Sequence, residues 1–468
     1  MSRGEFWEEN DMNAAKNTKR EQDRKMVYEL DGRPSLPTAV PLGLQHVLAM
    51  FTSNLAPILI IASVCGLSGA DTVTMVQCAM FVSGLTTFIQ LYPLRLGSKY
   101  QIGARLPIVM GTSFTFVPTA SAVGAAGGIG AVLGGCLAGS LVEVFMGFFY
   151  KYIRRFFPPL VVGCTLVTIG VNLLGIGVDY FAGGAGAADY GSLKNLAVAS
   201  FVLVIVILLQ RFGKGLAKNA AILIGLVAGY IAAALLGMVD TTPIADAAWF
   251  GLPLPMQFKL TFQPAAIMSF AALFVTSGLE TIGNTSGITM AGFDREATER
   301  ETSGAILADA LGSTTAAVFN ALPNTAFGQN AGIVAMTRVV NRWCIATGAF
   351  ILMISGVFPK LGAIFSAIPN AVLGGAIITV FGMILINGIK MIAKAGFSER
   401  NILVMGLTFV FGIGVPAHPE AVAQLPGFIR FIFNDAVTAT CIMAIIANVL
   451  FPMTDEADIE KAKEAMMG

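Results

Sequence analysis

The chain has 468 residues, 55% of them hydrophobic and only 12% charged, against about 25% charged in soluble domains. Of its 57 charges, 15 lie in residues 1–33 and seven in residues 455–468, which leaves a body whose surface only lipid can solvate and excludes a soluble enzyme or binding domain. A net charge of +1 offers no basic face to nucleic acid.

Residues 1–33 are polar, lack the apolar core of a cleavable signal peptide, and read as a cytoplasmic segment. Runs of roughly 20 apolar residues then predict membrane-crossing helices. They fall at 38–64, 73–94, 106–122, 126–149, 159–179, 195–210, 219–239, 265–288, 303–319, 322–337, 343–358, 369–389, 402–416 and 434–452, with 453–468 as a cytoplasmic tail. Segments 3, 10 and 13 are under-length. The six cysteines stand singly in apolar runs, with no CxxC pair and no metal spacing, so neither a metal nor a cofactor is expected.

Fourteen segments can be checked against loop charge. With the N-terminus inside, cytoplasmic segments collect 25 of the 29 Lys and Arg, and outer loops only Lys194, Lys259, Lys360 and Arg430. That alternation obeys the positive-inside rule along the whole chain and predicts both termini in the cytoplasm.

The two halves echo each other. Gly43-Leu44-Gln45 returns as Gly278-Leu279-Glu280. Leu106-Pro107, followed by Gly111-Thr112-Ser113, returns as Leu322-Pro323, followed by Gly328-Gln329-Asn330. Both echoes lie seven segments apart, an odd number, so the halves enter the membrane from opposite faces. The expected architecture is all-α and polytopic, with inverted seven-segment repeats at 34–240 and 265–452 joined by an outer loop at 241–264. Segments 3 and 10 each open on Leu-Pro and carry glycine and polar residues. They read either as kinked helices or as interrupted segments lining a midplane substrate cavity.

Charge inside a membrane is costly and needs a reason. His46, Glu280 and Asp309 fall within predicted spans, where they either satisfy broken backbone or handle substrate and protons. Gln329 and Asn330 offer planar acceptor and donor edges, which suit a planar heterocycle with N–H and C=O groups. Phe114, Phe116 and Phe327 can stack on its face or simply pack.

The run Gln329-Asn330-Ala331-Gly332 through Thr337-Arg338 resembles the signature of the nucleobase–ascorbate transporter family, also called nucleobase:cation symporter family two. Gln45-His46, the run Leu279 to Gly283 around Glu280, and the run Leu307 to Leu311 around Asp309 extend the resemblance over about 28–452. It implies fourteen segments in core (1–4 and 8–11) and gate (5–7 and 12–14) domains, short β-strand pieces in segments 3 and 10, proton co-transport and a homodimer in the bacterial inner membrane. It further implies that Glu280 and Gln329 hold a purine ring, with Phe114, Ala326, Phe327 and Gly328 beside it. His46, Asp309 and Asn330 would organise the site and its coupling.

Two positions depart from xanthine-selective members of the family: Asn284 stands where they carry Asp, and Ser113 where they carry Asn. With Arg338 closing the motif after Thr337, Ser113 resembles members that accept uric acid, since a smaller side chain leaves room for the C8 oxygen. The expected function is uptake of uric acid, xanthine or both. A uracil or other nucleobase permease of the same family and a sulfate-permease-like anion transporter are the alternatives. An intramembrane enzyme is disfavoured: there are only two histidines, His46 and His418, and no HExxH or Gly-x-Ser-x-Gly.

Overall fold

A chain surrounded by lipid has no water for its amides, so it closes its backbone hydrogen bonds within helices. The computed structural model describes residues 25–452 apart from 98, 154–157 and 215; the side chains of 52, 153, 216, 219, 329, 331, 332, 335, 336, 427, 428 and 431 also lie outside the description. The predicted head and tail fall outside it at 1–24 and 453–468.

The first half holds α1 (Leu36–Val64), α2 (Gly69–Leu91), the strands β1 (Leu94–Leu96), β2 (Tyr100–Ile102) and β3 (Met110–Thr112), then α3 (Val117–Ile153), α4 (Pro159–Phe181), α5 (Leu193–Phe212) and α6 (Ala221–Leu235). The second holds α7 (Pro264–Phe293), α8 (Glu299–Val318), β4 (Asn324–Ala326), α9 (Gly328–Thr337), α10 (Arg342–Ser355), α11 (Pro359–Ser366), α12 (Asn370–Ala395), α13 (Glu399–Ala417), α14 (Gly427–Asn434) and α15 (Ala436–Leu450). Side chains fix several starts. The hydroxyls of Ser68 and Ser192 accept from the amides of Asp71 and Asn195, and a Thr298–Glu301 capping box opens α8.

Among the described residues, eight helices are long and apolar enough to cross a membrane, or nine if the α10–α11 pair, bent by 83°, is one span. The protein is a mostly helical, multi-pass membrane protein. The remaining predicted segments take other forms. Segments 3 and 4 run together through a 3₁₀ turn (Phe114–Phe116) into α3, which breaks at Gly128 with a φ of 70°. Segments 7 and 14 contract to α6 and α15, segment 9 is the more polar α8, and segment 10 is β4 followed by the ten-residue α9.

Small residues bring the helices together, as apolar packing in lipid requires. In one group α12 lies along α4, with Gly388 against Val167 and Gly170 against Leu385, and α5, α6 and α15 complete it. In the other, α3 meets α7 and α8 at Gly135, Gly139 and Gly147, while Gly43, Gly84 and Gly348 seat α10 on α1 and α2.

Inside the second group, β3 and β4 pair antiparallel, with Met110 opposite Ala326, Gly111 opposite Thr325 and Thr112 opposite Asn324. Side chains of α1 and α2 finish the backbone pairing that two three-residue strands leave open. Asn54 Oδ1 accepts from the Thr112 amide at 2.6 Å and from Ser83 Oγ at 3.0 Å. Thr87 Oγ1 accepts from the Met110 amide at 2.9 Å, and Asn324 is held by Ser83 and Thr86 at 2.8 and 2.6 Å. An unpaired amide at this depth would cost several kcal/mol, of order 4 to 8, which explains the polar residues in these apolar helices.

Candidate functional site

The strand pair ends where both interrupted segments turn back into helix, and a cavity of about 470 Å³ opens there. One wall comes from Ser113, Phe114 and Thr115 after β3, Glu280 and Asn284 on α7, and the backbone of 326–328 after β4. The facing wall is α12, apolar at Val380, Met383 and Ile384, with Asn387 and Lys390 toward one end, and Leu166 of α4 closes it. Glu280 and Lys390 are the charged groups lining it. The size suits a small ligand.

Glu280 is held in place by Thr115, whose hydroxyl lies 2.9 and 3.0 Å from its two carboxyl oxygens. With that one donor among the described residues, the carboxyl keeps acceptor capacity for a further partner. The Ser113 hydroxyl accepts from the Thr115 amide at 3.2 Å, which caps the 3₁₀ turn and points Thr115 at Glu280. The Phe114 ring meets Phe381 of α12 edge-on at 5.2 Å, so it bridges the two helix groups. Asn284 donates to the Ala326 carbonyl at 3.0 Å and tethers α7 to β4. A Cβ at Gly328 would press 3.0 Å from Asn284 Oδ1, so glycine keeps this turn close to α7. The Phe327 ring packs over Gly111 beside Met50. Gln329 is the second residue of α9; its side chain lies outside the described residues.

The remaining predicted residues lie behind the cavity wall. Asp309 is fully buried and accepts from Gln90 Nε2 at 3.3 Å, from the Ala326 amide at 3.2 Å and from the Thr281 hydroxyl. It ties α8 to α2, α7 and β4. His46 and Asn330, 284 residues apart, are in contact: Asn330 Nδ2 lies 3.0 Å from His46 Nδ1 and 3.3 Å from the His46 carbonyl. Because the carbonyl can only accept, Asn330 presents its NH₂ group, and Nδ1 accepts its other hydrogen. Thr337 and Arg338 end α9 away from the cavity. Thr337 Oγ1 donates to the Ile333 carbonyl at 2.8 Å, and Arg338, at φ 59°, pairs with Asp294 at 3.1 Å.

Sequence reading missed several residues. Thr115 and Gln90 gave no signal, because isolated Thr and Gln are ordinary in membrane helices. Asn387 and Lys390 sit at the edge of a predicted span, where polar residues are expected. Glu143 did carry a signal, a carboxyl inside predicted segment 126–149; it is fully buried, and its oxygens have no hydrogen-bond partner among the described residues.

The cavity lies between two helix groups and carries one carboxyl, Glu280, among its described lining residues. The xanthine/uracil permease model, described as "Permease family", matches residues 37–421, so the chain belongs to that family and is a permease rather than an enzyme. It is 33% identical to the xanthine permease of Bacillus subtilis (strain 168), over 91% of this chain and 98% of that one. It is 32% identical to the uric acid permease PucK of the same organism, over 90% and 97%. Among solved structures, murine Slc26a9, an anion transporter in the inward-facing state, has a TM-score of 0.63 at 12% identity, covering 89% of this chain and 68% of that one. That likeness concerns the fold alone.

Proposed function

We propose that the protein is a proton-coupled symporter that takes up uric acid, xanthine or both across a bacterial inner membrane. The observation that carries this reading is the Glu280 carboxyl, steadied by Thr115 and facing a cavity of about 470 Å³ beside the Phe114 ring. A purine ring offers N–H groups to Glu280 and a face to Phe114, while Gln329, at the start of α9, meets another edge. Ala326, Phe327 and Gly328 lie beside the ring. Ser113 leaves space beside C8, which favours uric acid, and relatives named for xanthine and for uric acid are about equally similar to this chain.

In this reading the chain forms fourteen segments in two inverted repeats, 34–240 and 265–452, joined by the outer loop 241–264. Both termini are cytoplasmic, and the protein works as a homodimer. The helix group holding β3 and β4 is the core, the group around α4 and α12 is the gate, and transport moves one past the other with the purine between them. His46, Asn330 and Asp309 keep the β3–β4 crossing rigid, Asn284 sets its distance from α7, and Thr337 and Arg338 close α9 at its far end.

The test is uptake of labelled xanthine, uric acid and uracil in a host lacking its own transporters. Accumulation of a purine that a protonophore abolishes and Na⁺ replacement leaves intact is the expected result. Uptake of uracil alone, or uptake that needs Na⁺ and survives the protonophore, would overturn it.

A further inference from the structure

A second cavity, of about 320 Å³, lies where the C-terminal end of α3 meets the β1–β2 hairpin and the start of α8. Three cations line it, Lys99, Lys151 and Arg300, against one acid, Glu299. Among the described residues none of the three cations forms an ion pair; Lys99 instead rests over the Tyr100 ring, 5.2 Å from its centroid. That ring is itself fixed edge-on by Phe148 at 5.0 Å. Three basic groups converging on a concave surface repel one another unless an anion joins them.

The chemistry of that anion follows from what adjoins the cavity. Leu141, Phe145, Phe149 and Tyr152 recur every three or four residues along α3, across a local break in the helix at Phe149, and are all exposed, with Leu141 at 64% and Tyr152 at 69%. Tyr152 belongs both to this stripe and to the cavity wall, so a lipid-facing apolar track runs up one side of α3 and ends at the basic pocket. An aromatic at the junction of chain and headgroup is the usual arrangement at a membrane boundary.

We infer that this pocket binds the phosphate headgroup of an anionic phospholipid whose acyl chains lie along the Leu141–Tyr152 stripe. Basic pockets between helix ends are suited to such headgroups. Because the pocket grips α3, α8 and the hairpin together, an occupied site braces the helix group that carries the β3–β4 pair.

The experiment is thermal unfolding of the purified full chain in detergent, with phosphatidylglycerol, phosphatidylcholine or inorganic phosphate added. Phosphatidylglycerol is expected to raise the melting temperature and the other two to leave it unchanged. Each of Lys99→Gln, Lys151→Gln and Arg300→Gln should weaken the response about fivefold, and Phe145→Ser should weaken it through the acyl stripe. These side chains are at the surface, so the variants retain the fold. Equal effects of the two lipids, a full effect of inorganic phosphate, or wild-type responses in all three cation variants would overturn the inference.

Discussion

Glu280 and Asp309 are carboxyls within the same helix group, but Asp309 is fully buried and Glu280 half-buried, and their surroundings differ. Asp309 accepts from Gln90, Thr281 and the Ala326 amide, donors contributed by three separate elements. Among the described residues Glu280 accepts from Thr115 alone, and it faces a cavity. On the function proposed here, the carboxyl whose acceptor sites are filled by its own protein acts as a joint, and the one with unfilled sites beside a cavity takes the ligand. Glu143 extends the series to its other limit: it is as buried as Asp309, but among the described residues its oxygens make no hydrogen bond of normal geometry and only Ser277 is at hand. The same chemical group thus meets three different sets of donors among the described residues.

Substitutions that remove charge while keeping shape test this comparison, and the largest effect is expected at the cavity. Glu280→Gln should reach the membrane in normal amounts yet lose purine uptake by about 100-fold, as a buried ligand donor loses its partner. Reduced abundance with normal affinity would assign Glu280 to the joint class instead.

Asp309→Asn turns an acceptor into a donor that must face either Gln90 or the pair formed by Thr281 and the Ala326 amide. One buried donor is then left unmet, at a cost of about 1–3 kcal/mol. The expected outcome is a lower melting temperature of the purified protein and a matching fall in uptake. Unchanged stability with lost uptake would move Asp309 into the ligand class.

Ser113→Asn adds volume at the cavity wall and keeps the cap on the 3₁₀ turn. Uric acid should become a poorer competitor of labelled xanthine uptake by about tenfold, as one crowded group in a site allows. Equal competition in wild type and variant would show that Ser113 does not select. The smallest effect is expected for Glu143→Gln, which breaks no hydrogen bond; abundance and uptake should change by less than about twofold. A large loss there would mean that the carboxyl proton of Glu143 takes part in transport.

The sequence made the interrupted segments legible, because Leu-Pro openings and glycines in short apolar runs have few uses in lipid. It also supplied His46, Glu280 and Asp309, since a titratable group within a span stands out against its neighbours. The pairing of His46 with Asn330 was beyond it: nothing in either segment specifies a partner 284 residues away. The different donor sets of Glu280 and Asp309 were equally hidden. They depend on Thr115, Gln90 and Thr281, residue types that membrane helices carry everywhere and that acquire meaning only when the fold aims them. Counting spans from hydropathy gave fourteen, whereas among the described residues eight or nine helices meet the length and apolarity of a full crossing, because other segments are merged, shortened, more polar or replaced by a strand and a short helix.

Equilibrium binding of labelled xanthine and uric acid to the purified protein most directly tests whether the Glu280 cavity is the purine site. The expected result is saturable binding of at least one of the two by wild type, weakened about 100-fold by Glu280→Gln and lost by less than twofold on Glu143→Gln. Wild-type affinity in the Glu280→Gln protein would contradict the assignment and place the purine elsewhere in the membrane.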